Sequence, residues 1–235
     1  MLNLVFFILS ILGVVLTSIS KEVKAPKFDP VLLPPQQIEH FTFSYDEIMA
    51  DLLWLRAIQS LDYCGKTFIT DEQVKLGTNV FRICQEGWVY QMLDAATRIT
   101  PRYRIIYSRG AVALSVLVND RQGALQLFER GSKVYPQDWV IRYYSGFHRL
   151  MEMNDPAGAA EDMRMAGLNG APNWLTLLAA RLYNEAGQAE FGLRALSDFY
   201  GQEPFGKWPA RAQERWRELE TKLGRKVTPP TPTHN

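Results

Sequence analysis

Two cysteines are the residues of this chain whose chemistry and spacing first suggest a covalent feature. Cys64 and Cys84 both lie in the glycine- and threonine-containing segment 63–87. A disulfide between them would close a loop of about twenty residues and stabilise the fold by roughly 3 kcal/mol. The alternative is two separate buried thiols, because free cysteine is often a small core residue. We predict the disulfide, which would place this domain outside the cytoplasm.

Other residues with reactive side chains are too scattered to predict an active site. His40, His148 and His234 lie far apart, and two cysteines without a nearby histidine provide too few ligands for a metal. The chain has no C-x-x-C motif, no phosphate-binding loop and no nucleophile–base pattern. Asp51 and Arg56 share one predicted helix, where an ion pair is a simpler interpretation than acid–base catalysis. We therefore predict no enzyme activity, no metal and no cofactor.

An internal repeat indicates the elements that carry these residues. Residues 105–136 recur at 141–172, at an offset of 36. A period in the thirties is typical of helix pairs that bury their apolar sides only by stacking on the next pair. The sequence therefore predicts an all-α fold, a short solenoid of antiparallel helix pairs. The identical pairs are Ile105/Ile141, Tyr107/Tyr143, Gly110/Gly146, Leu114/Leu150, Ala124/Ala160, Gly131/Gly167 and Pro136/Pro172.

Spacing and capping patterns divide the chain further. Segment 44–101 is predicted to be an irregular first helical unit, starting at a capping box from Ser44 to Glu47 and containing the cysteine insertion 63–87. The predicted repeats occupy 102–204, and a charged helix within 205–223 is predicted to cap them. The repeat helices are predicted at 102–117, 121–134, 141–153, 157–168, 174–183 and 188–200. We expect 224–235 to be a disordered tail.

The first twenty residues contain no charged side chain, and about eighteen apolar residues reach the lower limit for a membrane-spanning helix. We predict an uncleaved anchor at 1–20, with a cleaved signal peptide as the alternative. Segment 21–43 is a proline-rich linker. The lysines after the anchor favour a cytoplasmic domain, whereas the cysteines favour a periplasmic one. We place the domain in the periplasm, with the cytoplasmic orientation as the alternative.

Composition limits the classes of partner. The chain has 235 residues, 47% of them hydrophobic, and a formal net charge of +1. This composition allows a real core, and the charge gives no overall attraction to nucleic acid. We therefore expect other proteins, and the membrane through 1–20, as the partners.

The repeat pattern resembles the tetratricopeptide repeat (TPR) family, in which small residues occupy fixed sites and proline ends each unit. The whole chain is similar to membrane-anchored TPR-like proteins of Gram-negative bacteria, on the stretches 45–57 and 169–174. The resemblance implies a scaffold on the outer face of the inner membrane, without catalytic activity.

The resemblance also implies a binding surface, because in that family the first helix of each pair lines a concave groove. Four arginines in one groove would suit an acidic polypeptide, since guanidinium binds carboxylate in a bidentate manner. We therefore expect a membrane-anchored adaptor that binds partner proteins in an envelope complex. The alternative is a structural accessory subunit of a larger membrane machine, held through its anchor and its cysteine insertion. Mapped onto this chain, the groove presents Arg109, Arg142, Ser145, Arg149, Glu152, Arg181 and Asn184.

Overall fold

A computed structural model describes Pro34 and the segments 37–64 and 87–230. Nine helices, packed pairwise in chain order, make up most of these residues. Short helical segments add single turns at Ile38–His40, Leu61–Cys64 and Phe205–Lys207. The predicted all-α class and the sequential pairing are confirmed. The nine are α1 (Asp46–Gln59), α2 (Trp88–Ile99), α3 (106–118), α4 (Arg121–Val134), α5 (Trp139–Met151), α6 (Pro156–Leu168), α7 (Trp174–Glu185), α8 (Ala189–Tyr200) and α9 (Ala210–Lys222).

The packing order is that of a small helical repeat. Helix pairs α1–α2, α3–α4, α5–α6 and α7–α8 each pack together, and the second helix of each pair also packs on the first helix of the next. We call the first helices A helices (α1, α3, α5, α7) and the second helices B helices. Helix α9 packs on α7 and α8, where the sequence predicts a capping helix.

The core lies between the paired helices and is rich in alanine. Helix α6 places Ala159, Ala160 and Met163 in it with no exposed surface, and α7 adds the fully buried Leu175 and Leu182. Small side chains let neighbouring helices approach closely, while the larger ones fill the remaining space. The apolar spacing of these helices therefore serves pair-to-pair stacking.

Two turns show why the helix pairs form where they do. Asn119 and Asn154 both have left-handed backbones, with φ of 63° and 52°. Asn tolerates this conformation better than most residues with a side chain. The aspartates that follow, Asp120 and Asp155, each accept a hydrogen bond of 2.8 Å from the backbone N–H three residues later. Each Asp thereby caps the B helix that starts next to it.

The first helix begins differently from the prediction. Helix α1 starts at Asp46, after Tyr45, and among the described residues no side chain caps its first turn. Ser44 has φ of 69°, whereas a capping serine normally has an extended backbone. The expected capping box between Ser44 and Glu47 is therefore absent.

Helix α3 is also irregular, which the sequence did not indicate. It contains two π-helical stretches, Ile106–Gly110 and Leu114–Val118, on either side of Ala111–Ala113. Such wider turns change the direction in which the following side chains point. The register of α3 therefore differs from that of α5, its counterpart in the next repeat.

Polar side chains one repeat apart contact each other. Arg130 donates to Thr97 at 2.7 Å, Arg164 to Asp198 at 2.9 Å and Asn184 to Glu218 at 2.9 Å. These pairs are separated by 33 or 34 residues, close to the repeat period. Stacked repeats bring equivalent helices side by side, so such pairs are expected of a repeat.

The start of the predicted disordered tail lies against α9. The indole Nε1–H of Trp216 donates to the carbonyl of Thr228 at 3.1 Å, and the N–H of Thr228 donates to Glu220 at 3.2 Å. Arg225 also pairs with Glu190 of α8. Residues 225–230 therefore extend the cap, and 231–235 lie outside the described residues.

Several predicted segments also fall outside the described residues. They are the anchor 1–20, most of the linker 21–43, and 65–86 with Cys84. Cys64 ends a helical turn, and its pairing with Cys84 stays a prediction. Within 37–64 and 87–230, no helix combines the length and the apolar character that crossing a bilayer requires.

We expect Gly131→Ala to destabilise the fold. A Cβ at Gly131 in α4 would lie 2.5 Å from the Cβ of Tyr107 in α3, an atom too close to the backbone to swing away. Overpacking costs about 1–3 kcal/mol, which outweighs the gain of about 1 kcal/mol in helix propensity. Thermal unfolding should show a lower Tm. Gly206→Ala is the control, because nothing lies within 4 Å of its added Cβ; equal Tm values for the two variants would contradict the close approach.

Candidate functional site

The residues predicted to line one groove lie on two sides of the repeat. On α5, Arg142 lies two residues before Tyr144, and Arg149 lies two residues before Met151. Tyr144 and Met151 belong to the second side. Two residues along an α-helix correspond to a rotation of about 200°. Arg142, Ser145 and Arg149 therefore face away from the side that carries Tyr144 and Met151.

A buried carboxylate holds the first side. Asp162 of α6 is 5% exposed, and it accepts hydrogen bonds from Arg142 at 2.8 Å, Ser145 at 2.6 Å and Arg149 at 3.1 Å. A buried charge is tolerated when such partners surround it. This Asp162 cluster links α5 to α6, and its three donors are used within the protein.

Arg149 also joins the cluster to a third helix. Its guanidinium pairs with Glu129 of α4 at 2.7 Å and with Asp155 at 3.1 Å, in addition to Asp162. Burial works to lower the pKa of Arg149, but the surrounding carboxylates raise it above its ordinary value. The arginine is therefore a permanent structural cation that fixes α4, α5 and the start of α6.

An apolar groove between the A helices α3 and α5 lies on the other side. It encloses about 190 Å³. Two of its side chains are largely open to solvent, Val116 at 66% and Met151 at 73%. Exposed apolar side chains grouped in a concave site are typical of ligand or protein contact. The lining residues are Val112, Ser115, Val116, Phe128, Tyr144, Phe147, His148, Met151 and Glu152.

Charged residues border this α3–α5 groove. The guanidinium carbon of Arg109 lies 5.7 Å from the ring centre of Tyr144, within cation–π range. Glu152 pairs with Arg121 at 3.2 Å. Among the described residues Arg109 contacts no carboxylate, so its guanidinium can donate hydrogen bonds to a carboxylate of a ligand. Of the predicted residues, Glu152 thus lines this groove and Arg109 borders it.

A second, polar groove lies between the A helix α7 and the capping helix α9. It encloses about 390 Å³. Arg181 belongs to it and pairs with Glu185 at 3.1 Å, while Asn184 hydrogen-bonds Glu218. Arg211 has no carboxylate partner among the described residues. The lining residues are Trp174, Leu177, Leu178, Arg181, Arg211, Glu214, Arg215 and Glu218.

A buried serine–histidine pair lies under the α3–α5 groove. Ser115 Oγ and His148 Nδ1 are 2.8 Å apart, and His148 Nε2 lies 3.0 Å from the carbonyl oxygen of Arg121. Nε2 must carry the proton donated to that carbonyl, so Nδ1 accepts from the serine. Both side chains are nearly inaccessible, and the third member is a carbonyl in place of a carboxylate. The pair joins α3, α5 and the start of α4.

Among the described residues, no group of three or more His, Cys, Asp or Glu side chains could hold a metal ion.

The sequence did not indicate a role for Asp162, Tyr144 or Met151. Only the helical spacing of Tyr144, Phe147 and Met151 could have indicated the apolar side of α5. Nothing in the sequence distinguishes Asp162 from the neighbouring Glu161.

No family model matches this sequence, and no curated protein and no solved structure shows significant similarity to the chain. The described architecture is therefore an all-helical domain of sequentially packed pairs without an identified family.

Loss of the Asp162 charge should destabilise the protein strongly. Asp162→Asn leaves two half-buried guanidinium groups with one carboxylate fewer, and breaking a buried pair in this way costs about 3–5 kcal/mol. Chemical denaturation measures the free energy of unfolding. Glu185→Gln is the matched control, because its pair with Arg181 is exposed and is worth less than about 1 kcal/mol. Similar losses in the two variants would show that the cluster is not a structural centre.

Stability should also fall below neutral pH through His148. Burial lowers the pKa of His148, so below about pH 6.5 the unfolded chain binds a proton that the folded ring resists. The free energy of unfolding therefore has its full value above about pH 6.5, where the ring is neutral in both states. It decreases as the pH falls from about 6.5 through the lowered pKa of the folded state. His148→Gln should show a smaller drop in Tm between pH 7.5 and 5.5 than the wild type. Parallel Tm curves would argue against this assignment.

Proposed function

We propose that this protein is a membrane-anchored helical-repeat scaffold that binds a partner polypeptide in the cell envelope through its A helices. The α3–α5 groove carries this proposal. It exposes Val116 and Met151. Beside it lies Arg109, whose guanidinium is over the ring of the lining residue Tyr144 and contacts no carboxylate among the described residues. A groove of this kind suits a segment with an apolar anchor followed by an acidic residue.

The arrangement of charges supports binding more than catalysis. The described ion pairs of Arg142 and Arg149 are internal, and the Ser115–His148 pair is buried. The α7–α9 groove adds Arg211 as a second site for a carboxylate. The anchor predicted at 1–20 would hold the scaffold at the inner membrane with its repeats in the periplasm, and it would raise the local concentration of bound partners.

Photocrosslinking in intact cells that produce the protein tests the proposal. A benzoylphenylalanine in place of Met151 should form adducts with a distinct protein, which mass spectrometry can identify. The same residue in place of Arg194, which is exposed on the B helix α8, is the control. Adducts of the same kind and yield at both positions would contradict a groove-specific partner.

The identified partner then allows an affinity measurement. Val116→Asp should weaken its binding to the purified full-length protein at least tenfold, since truncated anchors at interface centres typically cost more than about 1 kcal/mol. Arg109→Glu should weaken it by a similar factor if the partner supplies a carboxylate. Arg194→Glu should bind as the wild type does. Arg142 and Arg149 are poor choices for such tests, because changing them disrupts the Asp162 cluster.

A further inference from the structure

Helix α1 exposes a row of large apolar side chains that the groove does not use. Tyr45, Ile48, Leu52 and Leu55 follow one another at alternating spacings of three and four residues. Ile58, Phe41 and Phe43 extend the apolar surface at its two ends. The exposed fractions of these seven residues run from 38% to 83%. The opposite side of α1, formed by Ala50, Leu53 and Ala57, is buried.

This spacing is that of a coiled-coil seam. Alternating steps of three and four residues place Tyr45 and Leu52 at one core position of the heptad, and Ile48 and Leu55 at the other. A surface helix that packs only on its own domain has one apolar stripe, whereas α1 has two. The second stripe is about 20 Å long, from the rise of 1.5 Å per residue. We infer that its occupant is another helix.

We propose that this occupant is α1 of a second copy of the chain, packed parallel to the first around a two-fold axis. A symmetric pair needs a self-complementary surface, and an apolar seam provides one. The flanking charges favour the parallel orientation. Asp51 precedes the seam position Leu52, and Arg56 follows Leu55. In a parallel pair, Asp51 of one copy lies opposite Arg56 of the other, as flanking positions of two-stranded coiled coils do. Asp51 also accepts a hydrogen bond from Tyr103 of its own chain, and Arg56 has contacts within its own chain as well, so the pairing between copies would add to these contacts.

The exposed area is sufficient for such a dimer. Because a large apolar residue has roughly 200 Å² of accessible surface, the exposed fractions of the seven residues correspond to about 820 Å² per chain. Burying two thirds of this on each copy would give a total of about 1,100 Å², above the roughly 1,000 Å² expected of a biological interface. The parallel orientation also brings the two chain segments before Phe41 out at the same end. That geometry agrees with two anchors in one membrane, although the dimer does not depend on the proposed groove function.

Mass measurement of the full-length protein in detergent micelles tests the dimer. Sedimentation velocity should give a protein mass twice the 26.9 kDa of one chain. Leu52→Glu, which places two carboxylates against each other in the seam, should raise the dissociation constant at least tenfold. Leu168→Glu is the matched control, an exposed leucine on α6, and it should leave the dimer intact. A monomeric wild type, or a Leu52→Glu variant that remains dimeric, would overturn the proposal and assign the seam to a different partner.

Crosslinking in intact cells tests the orientation without detergent, and it does not depend on the glutamate variant folding. Tyr45→Cys and Leu55→Cys should each form a disulfide-linked dimer alone, because equivalent residues meet in a parallel pair. Leu168→Cys is the control for random collision. If crosslinking occurs only when the Tyr45→Cys and Leu55→Cys chains are mixed, the helices are antiparallel and the proposal is wrong. The Leu52→Glu variant can also carry benzoylphenylalanine in place of Met151. If it still forms the partner adduct, the groove functions without the dimer, and failure of the dimer is distinguished from failure of the groove.

Discussion

The stacking of this protein depends on how closely its helices approach at two glycines of equivalent position. A Cβ at Gly131 would lie 2.5 Å from the Cβ of Tyr107, and one at Gly167 would lie 2.4 Å from the Oγ1 of Thr176. These contacts admit no side chain, so they fix the register of α3 on α4 and of α6 on α7. With the register fixed, residues one period apart come to lie side by side. The polar pairs at separations of 33 and 34 residues are therefore a consequence of the stacking.

The Asp162 cluster explains why the predicted binding surface divides into two. The family resemblance implies that Arg142 and Arg149 of α5 line the groove, but both point to a carboxylate on the neighbouring B helix. In the sequence, Glu161 and Asp162 form an ordinary acidic pair. In the structure, Glu161 is at the surface beside Arg164, whereas Asp162 is buried under three donors. Only the packing of α5 against α6 distinguishes them, and one sequence does not contain that information.

Helix order and most helix bounds could be predicted because local residues determine them. The helix predicted at 121–134 has those bounds, since Asp120 caps its start and Pro136 lies just beyond its end. The start of α1 could not be predicted in this way. Ser44 has the right side chain for a cap, but its left-handed backbone, next to that of Phe43, directs the hydroxyl elsewhere. The π-helical turns of α3 were also missed, because Val112 and Val116 have the four-residue spacing that is ordinary for one face of an α-helix.

The two ends of the repeat stack differ in chemistry, and this difference bears on what the first helix contacts. A stack of helix pairs leaves an apolar face at each end unless something covers it. At the carboxyl-terminal end α9 covers α7 and α8 with its apolar side, including Trp216 and Leu219, and turns a charged side outward. At the other end α1 turns Leu52 and Leu55 outward. An apolar outer face with heptad spacing is suited to a further helix, and a second copy supplies that helix with matching length, shape and charge.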